Sequence, residues 1–104
     1  MGTHTPTPVP VTTVSPPYPN PPINGPVNVD VWLAGDSNVS MDVFTTAFRK
    51  VVGFSNQYAE GKWTLTWDLK DKFGNAVSNG LYYLRIQVTG PQPVKRIFKV
   101  LVVQ

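Results

Sequence analysis

From Val27 onward, apolar side chains return at every second position, and no segment carries a 3.6-residue rhythm. A two-residue period places alternate side chains on opposite faces of an extended chain, so it specifies strands with one buried face. The clearest case is residues 62–69, where Trp63, Leu65, Trp67 and Leu69 are expected inward and Lys62, Thr64, Thr66 and Asp68 outward. Val27, Val29, Val31 and Leu33 alternate with Asn28, Asp30 and Trp32. Val39, Met41 and Val43 alternate with Ser40, Asp42 and Phe44, and Tyr82, Leu84, Ile86 and Val88 with Tyr83, Arg85 and Gln87. A short apolar run lies at Val51, Val52 and Phe54. In residues 94–103 the phase is mixed: Val94, Phe98, Val100 and Val102 fit one face, Ile97 and Leu101 the other. A bulge or a strand buried on both faces would account for that. Clusters of Gly, Asn, Asp, Ser and Pro separate these runs, and each is turn chemistry. Gly35-Asp36-Ser37-Asn38 has the length of a hairpin connection, which predicts residues 27–34 and 39–46 as neighbours in one sheet. About seven short strands of this kind predict an all-β fold, an antiparallel β-sandwich.

The chain divides near residue 22. Eight of its eleven prolines and five threonines fall within residues 1–22. Such a segment favours extended, polyproline-type states and reads as a semi-rigid spacer. The expected organisation is a Thr/Pro-rich linker or tail over residues 1–22 and a sandwich over residues 23–104, the chain being the C-terminal piece of a larger protein. A domain this small buries only about 60% of its unfolded surface. Trp63 and Trp67, each able to bury roughly 200 Å², are expected to supply the missing core.

Chemistry has few residues to work with. Cysteine is absent, and the single histidine, His4, lies in the leader, so thiolate metal sites and histidine-based catalysis have no residues in the sandwich. Serines and threonines are plentiful, but a nucleophile needs a base beside it. Asp30, Asp42 and Glu60 are the candidates for paired acids, but Asp30 and Asp42 are expected together on a flat outward face, which does not raise a carboxyl pKa as a pocket would. Asp68, Asp71 and Asn75 present two carboxylates where a calcium loop needs more, and their expected work is capping backbone N–H groups in a turn. No catalytic, metal or cofactor site follows. Nine basic residues against six acidic ones give a net charge of +3, but no basic run exceeds two. A solvated surface is expected, not a nucleic-acid groove, and no apolar stretch reaches the roughly 18 residues of a membrane span. Trp32, Phe44 and Tyr83 stand out because alternation points them outward. With the hairpin above, Trp32 and Phe44 would be diagonal neighbours. Such aromatics rest under the leader or the 49–60 connection, contact a protein partner or neighbouring domain, or stack on polysaccharide.

Residues 67–86 read WDLKDKFGNAVSNGLYYLRI. Trp67, Asp68, Asp71, Gly74, Val77, Gly80 and Tyr82 resemble the W-D-x-x-D-x-x-G-x-x-V-x-x-G-x-Y signature of the FlgD Ig-like family. Tyr18-Pro19-Asn20-Pro21 is similar to that family's entry motif, VFTTAFRKV over 43–51 to its I-Y-D-x-x-G-R-x-V segment, and KVLVV at 99–103 to its last strand. Phe48 stands where the family usually has glycine, and Thr45 where it often has aspartate. The resemblance implies an immunoglobulin-like sandwich serving as a non-catalytic module of a secreted or envelope bacterial protein, in attachment, spacing or assembly. The related type IX secretion sorting domains imply an alternative, a C-terminal strand read by an export machine. Every residue of the motif also has a structural explanation. Trp67 belongs in the core, and Asp68 and Asp71 are turn acceptors. Gly74 and Gly80 suit positive φ, and the Tyr82 hydroxyl can bond nearby backbone, as in a tyrosine corner.

Overall fold

Seven strands form in the structure, a computed structural model that describes residues 11–20 and 25–104. They are β1 (Thr13–Val14), β2 (Val27–Leu33), β3 (Ser37–Thr45), β4 (Lys50–Tyr58), β5 (Gly61–Trp67), β6 (Gly80–Thr89) and β7 (Val94–Val102). All pairings are antiparallel, in a three-stranded sheet of order β1-β2-β5 and a four-stranded sheet of order β4-β3-β6-β7. The two sheets pack face to face as an immunoglobulin-like sandwich. The core is the inward half of each alternation: Val27, Val29, Val31 and Leu33 from β2, Val39, Met41 and Val43 from β3, and Leu84, Ile86 and Val88 from β6. Leu65 and Trp67 of β5, Val100 and Val102 of β7, and Val14, Leu69 and Tyr82 belong to it as well.

Two neighbours in sequence are not neighbours in a sheet. β2 pairs with β5 and β3 with β4 and β6, so the connection over residues 34–36 crosses from one sheet to the other. The expected hairpin between residues 27–34 and 39–46 is therefore an arch. Its inward faces oppose each other across the core, a geometry that yields the same alternation as a hairpin. Asp30 and Asp42, expected on one face, lie in different sheets.

The sandwich begins earlier than residue 23. Thr13 and Val14 pair with Trp32 and Val31, and Val14 is buried. The Thr12 hydroxyl accepts the Ala34 N–H at 3.2 Å, the Ser15 N–H donates to the Asp30 carbonyl at 2.8 Å, and Tyr18 bridges to Asn28. Prolines flank this stretch, yet residues 11–15 include none, and their free N–H groups let them pair as an edge strand. The remainder of the expected linker, residues 1–10, 21 and 22, lies outside the described residues.

Trp67 is 3% exposed, as the core expectation requires, but Trp63 is 39% exposed. It sits two residues further toward the β4–β5 turn, where it packs on Tyr58 with ring centroids 5.1 Å apart and donates its indole N–H to the Ala59 carbonyl at 2.8 Å. It seals the rim between the sheets without entering the core. In β7 neither a bulge nor two-sided burial occurs: register with β6 is unbroken from Val94 to Val102, and Ile97 and Leu101 simply face outward, 56% and 48% exposed.

Candidate functional site on the four-stranded sheet

The outer face of β3, β6 and β7 carries residues the core does not need. Cross-strand partners share a face, so Phe44 stands beside Tyr83, Tyr83 beside Lys99, and Arg85 between Asp42 and Ile97. The β3–β4 turn closes with the Phe48 N–H on the Thr45 carbonyl at 2.9 Å and the Arg49 N–H on the Thr45 hydroxyl at 3.2 Å. Phe48 ends that turn in the left-handed conformation, φ 60°, a position that such three-residue loops usually give to glycine. Its ring stacks on Tyr83, centroids 5.2 Å apart and planes within 7°, while the residue stays 70% exposed. The Arg85 guanidinium lies 4.9 Å from the centre of the Phe44 ring, within cation–π range. Between these groups runs an open groove of about 340 Å³ lined by Phe44, Phe48, Tyr83, Arg85, Lys95 and Ile97.

Asp42 stands beside Arg85 on the same face. Its carboxylate is largely buried, 2.8 Å from Arg85 Nη2 and 3.0 Å from Lys50 Nζ. Burial alone would raise its pKa; the hydrogen bonds and charges of Arg85 and Lys50 outweigh that and hold the carboxyl below its ordinary range. The opposing residue is Gly53, where a Cβ would run into the Asp42 carboxylate and the Lys50 side chain, so the ion cluster occupies the space a side chain would take. Arg85 Nε is buried with no acceptor among the described residues.

The other expected residues fall elsewhere. Trp32 lies on the outer face of the three-stranded sheet, 40% exposed, with Lys62 Nζ 5.4 Å from its ring centre. Trp32 and Phe44 thus occupy opposite outsides of the sandwich, and a shared sugar platform is ruled out by topology. Neither the leader nor the 49–60 connection covers Trp32 fully: Thr13 lies beside it, and residues 50–58 form β4 of the other sheet. Phe44 and Tyr83 do come together. Asp30 is held below its ordinary pKa by hydrogen bonds from the hydroxyls of Thr64, 2.7 Å, and Tyr18, 2.8 Å.

The motif residues after β5 build a rigid connection. Asp68 accepts the Lys70 N–H at 3.2 Å, and Asp71 accepts those of Phe73 and Asn75 at 2.9 and 3.0 Å. Gly74 and Gly80 have φ of 85° and 149°. Trp67 meets Tyr82 edge to face at 5.6 Å and donates to the Lys70 carbonyl at 2.9 Å. The Tyr82 hydroxyl donates to the Ser78 carbonyl at 2.7 Å, and burial raises its pKa. These carboxylates serve backbone N–H groups of their own turn.

Phe48, Arg85, Lys95 and Ile97 are site residues that alternation did not select. Two signals in the sequence mark three of them: the aromatic Phe48 where the resembling family usually has glycine, and, for Lys95 and Ile97, aliphatic side chains spaced between lysines at Lys95, Ile97, Lys99 and Leu101; Arg85 carries no such mark.

No family model matches the chain, and no curated protein matches it. Solved structures do. Latent dimeric PorU from Porphyromonas gingivalis is similar with a TM-score of 0.72 and 24% identity, over 89% of this chain and 9% of that one. FlgD from P. aeruginosa is similar with a TM-score of 0.55 and 24% identity, over 73% of this chain and 60% of that one. PorZ, a surface component of the type IX secretion system of P. gingivalis, is similar with a TM-score of 0.50 and 21% identity, over 89% of this chain and 11% of that one. These likenesses establish the fold: an immunoglobulin-like sandwich that spans a small part of the two large P. gingivalis chains. No described helix is long and apolar enough to cross a membrane.

Proposed function

We propose that this chain is a non-catalytic immunoglobulin-like module of a larger bacterial secreted or envelope protein. It serves attachment or assembly by docking a protein surface on the outer face of its four-stranded sheet. The observation that carries this reading is Phe48, a bulky residue in left-handed backbone whose ring is mostly in water. A left-handed non-glycine residue costs roughly 1–2 kcal/mol, and its stacking on Tyr83 returns roughly 0.5–1.5 kcal/mol. Stability gives little reason to keep it, and strain retained at an exposed site supports function. The likeness of the fold to a small portion of a larger chain such as PorU supports an accessory role.

Sorting for export is the second reading, favoured by the fold's match to a small portion of PorU and PorZ. One experiment separates the two. A photo-crosslinking amino acid is placed at Ile97, or at Thr64 on the opposite sheet, in the full protein as its cell makes it, with and without Phe48→Gly. Docking predicts an adduct with a defined protein from position 97 and none from 64. Phe48→Gly should lower that adduct several-fold while delivery to the surface continues. Loss of delivery with Phe48→Gly would favour the sorting reading, and equal adducts from both positions would end the docking one.

A further inference from the structure

The charge of this module is unevenly spread. Lys50, Arg85, Lys95 and Lys99 belong to the outer face of the four-stranded sheet, with Asp42 as the only carboxylate there among the described residues. That face carries four basic groups against one acidic, a charge of +3; the remaining five basic and five acidic groups cancel, so the whole net charge of +3 sits on this face. Asp42 is already engaged by Lys50 and Arg85. Lys95 and Lys99 have no ion-pair partner among the described residues, and Arg85 has a donor without an acceptor.

The apolar part of the face limits which anion fits. Sugars and bases bind by stacking on open ring faces. Here the Tyr83 ring is covered by Phe48, and the Phe44 ring is capped by Arg85. What remains open is the outward side of one ring, Phe48, together with the aliphatic side chains of Ile97, Leu101 and Leu81, the last two paired across β6 and β7. The groove, about 340 Å³, lies at the small end of ligand pockets, which run roughly 300–1,000 Å³. Aliphatic side chains interleaved with lysines complement a peptide surface of the opposite pattern, apolar groups between carboxylates.

Resting on the docking reading above, we propose that the occupant of this face is an acidic segment of a partner protein. It seats an apolar side chain in the groove between Phe48 and Ile97 and sets carboxylates against Arg85, Lys95 and Lys99. Steering by this charge raises the rate of encounter, while the groove and the Phe48 ring set how long the complex lasts.

The test uses the cross-linker at position 97 with Lys95→Glu and Lys99→Glu together, compared with Lys62→Glu on the other sheet. Unchanged circular dichroism and melting temperature verify that each variant folds. Charge reversal should lower the adduct at least about tenfold, Lys62→Glu should leave it unchanged, and mass spectrometry should locate the attachment in a carboxylate-rich segment. An undiminished adduct in the doubly reversed protein overturns the acidic partner while leaving docking intact. So does attachment to a segment without an excess of carboxylates, or to glycan or nucleic acid. Absence of any adduct in the otherwise unaltered protein removes the docking reading itself.

Discussion

At the scale of single residues, the four-stranded face is organised by Asp42. A carboxylate this well covered is tolerated because two cations reach it and Gly53 leaves it room. Replacing it with asparagine keeps the shape and removes the charge, leaving Arg85 and Lys50 facing each other. Asp42→Asn should cost about 1.5–3 kcal/mol at neutral pH, the usual range for hydrogen bonds to charged groups, read by urea denaturation. The sign with pH follows from the depressed pKa. The unfolded chain takes up the proton first as pH falls, so the contribution is complete above the ordinary carboxylate range near pH 4. It is lost as pH falls through the lower folded value. The stability gap between the parent and Asp42→Asn should therefore narrow as pH falls below the ordinary carboxylate range near pH 4, and a gap that stays constant through that range would show that packing, not charge, sets it.

At the scale of elements, the leader is the main surprise. A proline-rich segment lacks the donors for a sheet, but residues 11–15 are proline-free and long enough to add one short strand. Val14 enters the core, Thr12 satisfies Ala34, and the Asn20 side chain donates to the Lys99 carbonyl on β7 at 3.2 Å. Removing residues 1–20 should lower unfolding stability by about 2–4 kcal/mol, the burial of one valine plus one or two hydrogen bonds. Equal stability of the shortened chain would return this segment to the role of a spacer. The strands themselves were legible because burial of one face forces a two-residue period. The arch between β2 and β3 was not, since opposing faces of a sandwich and adjacent faces of a hairpin leave the same alternation. The position of Trp63 was hidden for a related reason: alternation assigns a face but not the distance from the rim.

At the scale of the whole molecule, the division of charge gives the sandwich a polarity that its net +3 conceals. Retention on a cation exchanger depends on the most charged face, as well as on the sum. Lys99→Glu and Lys62→Glu change net charge equally, yet Lys99→Glu should elute distinctly earlier, because Lys62 lies beside Asp30 on the opposite sheet. Coincident elution would mean that the two faces are electrically alike. Composition and period, read from the chain alone, determined an all-β sandwich, its inward residues, and the turn chemistry from Trp67 to Tyr82, since each follows from local sterics and from burial of one face. Only the tertiary structure decided which strands share a sheet, that the leader supplies a strand, and that Phe48, Tyr83, Arg85 and Ile97 meet. Those depend on contacts between positions tens of residues apart, and no local pattern records which distant strand a given strand will choose.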